Sequence, residues 1–185
     1  MTDTQTESSI GRELRQLAMI EHSWLMRSKV PSTSHVLGWM PFQLADFAGM
    51  MVDVAQEAKG NRFLDVGCGP GTKVAMARLL FGFDSSGIEI DTQMALEAAF
   101  LLTEGEVYNG DALYWDDGFY GQFDVLWLYR PFRAADLQER LEKRIRSEMK
   151  SGAILAGGAW ETPCPSDWLT VVDDWEIKRG AWMKP

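Results

Sequence analysis

The stretch RFLDVGCGPGTKV, residues 62–74, decides the fold of this chain. Three of its first five positions, Phe63, Leu64 and Val66, are apolar, which is typical of a buried strand. Three glycines and a proline follow, and the chain then resumes with residues that favour a helix. A strand, a glycine-rich turn and a helix in this order predict the start of a βαβ unit.

Strand-like and helix-like segments alternate downstream of this turn. The predicted strands after RFLDVG are SGIEI, EVYNGDA, FDVLWLY and AILAGGAW, and the helices between them are TKVAMARLLF, TQMALEAAFLL and residues 134–150. FDVLWLY is apolar at nearly every position, as expected of a strand covered on both faces. The alternation predicts an α/β fold with an open, doubly wound, mostly parallel sheet. Such sheets bind ligands beyond the carboxyl ends of their strands, so the glycine turn is the candidate site.

The chain upstream of the sheet is predicted to be helical. Residues 1–60 are expected to form an extension or lid that packs on a core formed by residues 61–185, with one domain overall for a chain of 185 residues. Residues 9–28 favour a helix, and a second helix is predicted to begin at Pro41 and to stop before Gly60.

Composition narrows the function classes. Hydrophobic residues make up 46% of the chain and charged residues 24%, and the N-terminus has neither the basic start nor the apolar run of a signal peptide. A soluble, cytoplasmic protein is therefore expected. Two cysteines, Cys68 and Cys164, and two histidines show no metal-ligand spacing, so no metal site is predicted.

The distribution of charge disfavours a nucleic-acid partner. The formal net charge is −9, and no Lys or Arg occurs between Arg78 and Arg130, an interval with ten Asp and Glu residues. Nucleic-acid affinity depends mainly on Lys and Arg that neutralise phosphates, and a face formed by this interval would repel them.

Two classes of cofactor bind at a glycine turn of this kind. The dinucleotide fingerprint G-x-G-x-x-G fits Gly67 and Gly69, but Thr72 occupies its last position. The pattern acidic-x-G-x-G-x-G is filled completely, by Asp65, Gly67, Gly69 and Gly71. This stretch resembles the first motif of the class I S-adenosylmethionine-dependent methyltransferases.

The resemblance extends over residues 62–132 and implies S-adenosyl-L-methionine as the cofactor of a methyltransferase. Glu89, at the end of the second strand, would bind the ribose hydroxyls, a role that suits the two acceptor oxygens of a carboxylate. Asp111, in NGDA, would bind the adenine amine. The expected cofactor-binding residues are Asp65, Gly67, Cys68, Gly69, Gly71, Glu89, Ile90, Asp111 and Ala112.

Two acidic residues of this region have structural alternatives. Asp65 could instead pin the loop by accepting hydrogen bonds from backbone amides. Asp91 is expected to cap the following helix rather than to bind a ligand.

The end of the fourth strand, LYRPF, departs from the resemblance. Methyltransferases that act on base amines carry Asn or Asp, then Pro-Pro and an aromatic residue there, whereas this chain has Tyr129 and Arg130 before Pro131 and Phe132. Base methylation is therefore not expected. Tyr129 is a candidate to orient an acceptor or pass a proton, and Arg130 to pair with a carboxylate or phosphate. The alternative is that Arg130 pairs with a nearby acid and that Tyr129 packs.

Two further features bear on the function. His35 is a third candidate catalytic residue, because it lies with Trp39 in the loop before the first sheet strand, where a lid is expected. After residue 160 only a strand pair fits, which leaves little room for the last helix that the family usually has and for insertions that recognise large substrates.

Three functions are consistent with the sequence. The first is a methyltransferase for a small-molecule acceptor. The second is a methyltransferase for protein or nucleic acid that needs a partner subunit. The third is a non-catalytic relative of the fold that binds the cofactor, or no longer does, and serves as an interaction module.

Overall fold

The computed structural model describes residues 3–27, 42–102, 106–174 and 179–185. The helices are α1 (Asp3–Arg27), α2 (Leu44–Glu57), α3 (Thr72–Phe81), α4 (Thr92–Leu101) and α5 (Ala135–Glu148). The strands are β1 (Arg62–Val66), β2 (Asp84–Glu89), β3 (Glu106–Asn109), β4 (Val125–Tyr129), β5 (Ile154–Gly158), β6 (Leu169–Asp174) and β7 (Arg179–Met183). The predicted α/β architecture is confirmed.

The seven strands form one sheet in the order β3-β2-β1-β4-β5-β7-β6. The first five strands run parallel to one another, whereas β7 is antiparallel to β5 and β6 is antiparallel to β7. The strand order reverses next to β1, which pairs with β2 on one side and with β4 on the other. This switch point places the turn after β1 in the crevice where open α/β sheets bind ligands.

Both faces of the sheet are buried, because successive residues of the central strands enter opposite cores. Phe63 and Trp127 pack in a core with the inner faces of α1, α2 and α3. Leu64 and Leu128, the next residues along the same strands, pack in a core with α5. Continuous apolar runs rather than alternating ones are the expected sequence of such strands.

Towards both ends of the chain the predicted helices and strands are present, but the helix boundaries differ from the predicted ones. α1 begins at Asp3, earlier than the predicted residue 9, and α2 begins at Leu44, after the predicted start at Pro41. Pro41 itself lies outside the described residues, and Phe42 after it is buried beside α2. Between β5 and β6 lie residues 159–168, all of them described, and they contain no helix. The predicted strand pair at the C-terminus is confirmed.

None of the helices in the described ranges combines the length and the apolar character required to cross a bilayer.

Candidate active site

The turn after β1 is held in a backbone conformation that only glycine adopts easily. Gly67, Gly69 and Gly71 have φ angles of 80°, 54° and 79°. A Cβ atom on Gly71 would lie 2.9 Å from Ala98 Cβ of α4, and one on Gly67 would lie 3.1 Å from Pro131 Cβ, after β4. The loop is thus packed closely between α4 and the end of β4.

Glu89 ties the end of β2 to this loop. Its carboxylate accepts hydrogen bonds from the Gly69 amide at 2.8 Å and from the Asp91 amide at 2.8 Å, one at each oxygen. Burial raises the pKa of Glu89 above its usual value, and these amide donors oppose the rise. Each carboxylate oxygen can accept a second hydrogen bond, so Glu89 retains acceptor capacity for a ligand.

The turn after β3 lies directly beside Glu89. The Gly110 amide donates to the Glu89 carbonyl at 2.9 Å, and the Asn109 side-chain amide donates to the same carbonyl at 2.9 Å. Asp111 is half-buried, and one of its oxygens accepts from the Leu113 amide at 2.9 Å. The ends of β2 and β3 are therefore fastened together, with both predicted acids at the same edge of the sheet.

The apolar neighbours of these acids differ in exposure. Ile90 is 39% exposed, which is unusual for an isoleucine directly after a buried strand, and Ala112 is buried. The carbonyl of Ala112 accepts a hydrogen bond from the Tyr120 hydroxyl. Cys68 is different again, because its side chain packs with Val74 and Ala98 in the apolar cluster beneath the loop. Only the backbone of Cys68 can therefore face a ligand above the loop.

Asp65, the last predicted acid of the turn, is 3% exposed. Its carboxyl group forms no hydrogen bond within the described residues, so the alternative that it pins the loop through backbone amides is not seen there. Burial raises the pKa of Asp65 to about 7 from its usual 3.8; Lys73 opposes the shift, while Glu89 and Glu21 add to it. An unpaired buried carboxyl group of this kind marks a candidate ligand contact.

Tyr129 and Arg130 lie at the carboxyl end of β4. The Tyr129 ring packs edge-on against Phe42, with 5.0 Å between ring centroids. Arg130 has a φ angle of 41°, a strained conformation for a residue with a side chain, and its guanidinium pairs with Glu161 at 2.8 Å. The alternative that Arg130 pairs with a nearby acid is therefore seen in the structure, beyond the ends of β4 and β5.

Solved structures with a similar arrangement of strands and loops include proteins described as methyltransferases. An RNA methyltransferase from Salinibacter ruber, in complex with S-adenosyl-L-homocysteine, matches with a TM-score of 0.59 at 21% identity, over 79% of this chain and 94% of its own. TehB from Haemophilus influenzae matches with a TM-score of 0.56 at 15% identity, over 74% and 62%. CalS10, an amino pentose methyltransferase from Micromonospora echinaspora with bound S-adenosylmethionine, matches with a TM-score of 0.52 at 19% identity, over 74% and 66%. This chain has the class I methyltransferase fold.

The class I methyltransferase fold suggested by the glycine motif is thus confirmed, at levels of identity that show the fold alone. The chain spans nearly the whole length of the Salinibacter protein but less than two thirds of TehB and of CalS10. No protein-family model matches the chain, and no curated protein matches it in sequence.

The residues present in this methyltransferase fold fit an adenosyl cofactor with an amino-acid end. The glycine loop leaves no space for a side chain at Gly71 and little at Gly67, Glu89 has acceptor capacity next to the loop, and Asp65 is an unpaired buried acid. Among the described residues, no three His, Cys, Asp or Glu side chains are grouped so as to hold a metal ion.

Two parts of the site were missed by sequence reasoning. Glu21 of α1 reaches the start of α3, where its Oε1 accepts from Thr72 Oγ1 at 2.8 Å and from Lys73 Nζ at 3.1 Å. Glu142 of α5 is fully buried and accepts from the backbone amides of Glu161 and Thr162, at 3.0 and 2.9 Å. Neither residue belongs to a local motif, so the sequence carries no signal for them.

Glu142 is the centre of a buried hydrogen-bond network. It is joined by Gln138, whose side-chain amide donates to it at 3.0 Å and whose oxygen accepts from the Phe132 amide at 3.4 Å. α5 therefore fixes the chain after β4 and the chain after β5 through one buried network. The network holds the backbone of Glu161, whose side chain pairs with Arg130.

His35 and Trp39 lie outside the described residues, so the catalytic role of His35 stays a prediction. The predicted cap is confirmed: an Asp91 oxygen accepts from the Met94 amide at 2.9 Å, at the start of α4.

Proposed function

We propose that this protein is an S-adenosylmethionine-dependent methyltransferase that acts on a small-molecule acceptor. The observation that supports it most is the convergence on the glycine loop: Glu89 binds the Gly69 amide, and Pro131 contacts Gly67. We infer that the ends of β1, β2 and β4, which these contacts join at the switch point of the sheet, border the crevice for the ligand.

The cofactor site follows from the donors and acceptors of this crevice. Glu89 would bind the ribose hydroxyls, and Asp111, through the oxygen that does not cap the next turn, would accept from the adenine amine. Ile90, which follows Glu89 and is exposed, would offer an apolar surface to the base. Asp65 would receive the positively charged amino group at the other end of the cofactor.

When bound, S-adenosylmethionine supplies a methyl group on a positively charged sulfur. The transfer needs chiefly proximity and alignment, so the protein has to fix the acceptor in line and to exclude water. In this proposal, Tyr129 and Arg130 would be the groups that do this. Tyr129 is the last residue of the buried strand β4, where its hydroxyl would orient an acceptor atom or relay the acceptor's proton to water.

The Arg130–Glu161 pair favours a small polar acceptor. Its side chains are 33% and 26% exposed, so an acceptor can reach both charges. A carboxylate would bind Arg130 in the planar geometry that guanidinium prefers, and an amine would bind Glu161. The link from β5 to β6 consists of ten described residues without a helix, a short boundary for a site that would accommodate a macromolecule.

Methylation of RNA is the second candidate. The Salinibacter structure, which this chain nearly spans in length, is described as an RNA methyltransferase. The acidic interval between Arg78 and Arg130 disfavours RNA binding by this chain alone. An RNA substrate would therefore require a basic partner subunit.

Methyl transfer from cofactor labelled in the methyl group separates these candidates. The protein is incubated with fractionated small metabolites and, separately, with total RNA and total protein. The proposal expects label in a small-molecule fraction, abolished by Glu89→Ala and retained in Glu57→Ala, a matched change at an exposed position of α2. Label in RNA or protein alone would contradict the small-molecule acceptor. Cofactor binding without transfer to any fraction would favour a binding module.

A further inference from the structure

α1 brings a buried carboxylate to the start of the helix that follows the glycine loop. Glu21 is 9% exposed and lies on the inner face of α1, one turn after the core residue Leu17. Its Oε1 is shared by Thr72 Oγ1 and Lys73 Nζ, at 2.8 and 3.1 Å. These are the first two residues of α3, so α1 is bound to the cofactor loop by a buried ion pair.

Lys73 has two carboxylates in its vicinity, Glu21 and Asp65, and forms an ion pair only with Glu21. Its ammonium is near enough to Asp65 to oppose the rise in the pKa of that carboxyl group. Within the described residues, however, Lys73 forms an ion pair with Glu21, and Asp65 forms none within 4.0 Å. A buried ammonium needs a partner, and here Glu21 satisfies that need from outside the loop.

Asp65 is consequently left without a neutralising partner. The charged groups that act on it are Lys73 from α3, Glu21 from α1 and Glu89 from β2, and only the first is positive. The site therefore carries an excess of negative charge before a ligand binds. A cationic ligand group at Asp65 would remove that imbalance.

We propose that Glu21 is a positioning residue for the cofactor site: by binding Lys73, it keeps the ammonium away from Asp65 and leaves the Asp65 carboxylate to receive the cofactor's amino group. This inference rests on the proposed function and extends it to α1. It also makes the N-terminal extension, residues 1–60, a part of the site through Glu21.

The test compares two ligands that differ only in the amino-acid end. S-adenosylhomocysteine carries the amino and carboxyl groups, whereas 5′-methylthioadenosine lacks both and keeps the adenosine and a neutral sulfur. Glu21→Gln frees Lys73 to pair with Asp65, because an ionised carboxylate binds an ammonium more strongly than an amide does. We expect affinity for S-adenosylhomocysteine to fall by about tenfold or more, with 5′-methylthioadenosine unchanged.

A second pair of variants separates positioning from structure. In Glu21→Gln with Lys73→Met, no ammonium remains to neutralise Asp65, so affinity for S-adenosylhomocysteine should return toward the wild-type value. Lys73→Met alone removes the cation that lowers the pKa of Asp65, so its affinity for S-adenosylhomocysteine should rise with pH at higher pH than in the wild type. Glu13→Gln is the matched control, an exposed glutamate on α1, and should change nothing. If Glu21→Gln does not fold, the Lys73→Met result still decides, because an unshifted pH profile there would show that Lys73 does not act on Asp65 and would overturn the proposal.

The pH dependence of binding gives an independent readout. Between about pH 5.5 and pH 7 the ligand's α-amino group stays charged while Asp65 ionises, so wild-type affinity for S-adenosylhomocysteine should rise about tenfold. In Glu21→Gln this rise should disappear, because Lys73 holds Asp65 ionised throughout. A wild-type protein that binds neither ligand would refute the proposed function itself. Binding with the same affinity and pH profile in Glu21→Gln would refute only this inference.

Discussion

Gly71→Ala tests whether close packing of the glycine loop shapes the site. Gly71 has a φ angle of 79°, where a residue with a Cβ atom costs about 1–2 kcal/mol. The added Cβ would also lie 2.9 Å from Ala98 Cβ and 3.2 Å from Ala98 Cα, closer than ordinary contact. Overpacking of this kind costs about 1–3 kcal/mol, so the free energy of unfolding should fall by about 2–5 kcal/mol in total.

Gly82→Ala is the matched control, because it has the same cost of a side chain at positive φ but no steric clash. Gly82 ends α3 with a φ angle of 72°, and an added Cβ would meet nothing within 4 Å. Urea unfolding should show a loss of only about 1–2 kcal/mol for this variant. Calorimetry should show S-adenosylhomocysteine binding in Gly82→Ala and its loss in Gly71→Ala. Equal losses of stability, or wild-type binding by Gly71→Ala, would refute the reasoning.

Two further predictions concern buried acids. Glu142→Ala should lower the free energy of unfolding by about 3 kcal/mol or more, because the backbone amides and the guanidinium packed around Glu142 lose their acceptor. Glu139→Ala, which removes an exposed i,i+4 ion pair, is the control and should change the free energy of unfolding by less than about 0.5 kcal/mol. Similar losses in urea unfolding would contradict this. The pKa of Asp65 is raised to about 7 in the folded chain, so the folded state holds a proton that the unfolded state releases at lower pH. The free energy of unfolding should therefore fall by up to about 4 kcal/mol as pH rises from about 4 to above 7. Asp65→Asn should abolish this pH-dependent loss. Identical dependence of unfolding free energy on pH in Asp65→Asn and the wild type would contradict this prediction.

Most of the fold could be predicted because its signals are local. The apolar runs of β1 and β4, the glycine turn and the Asp91 cap each depend on neighbours within a few residues. The positions of Glu89 and Asp111 could be predicted for the same reason, since carboxyl ends of neighbouring parallel strands meet at one edge of a sheet.

The remaining parts of the site depend on contacts between distant segments. Glu21 lies 51 residues before Thr72, and helical periodicity says which face of α1 is buried but not which element it meets. The pairing of Arg130 with Glu161 requires the ends of β4 and β5 to be adjacent, which follows from the strand order rather than from either sequence. The direction of the Cys68 side chain, into the apolar cluster below the loop, likewise depends on α4.

The central claim is that the glycine loop and Glu89 hold S-adenosylmethionine. Calorimetric titration of the wild type with S-adenosylmethionine, S-adenosylhomocysteine and NAD, repeated on Glu89→Ala, tests it most directly. The account predicts binding of both adenosyl ligands, no binding of NAD, and a loss of about a hundredfold in Glu89→Ala, as expected when charged hydrogen bonds to two hydroxyls are removed. Binding of NAD instead, or binding of S-adenosylmethionine that Glu89→Ala leaves unchanged, would contradict it.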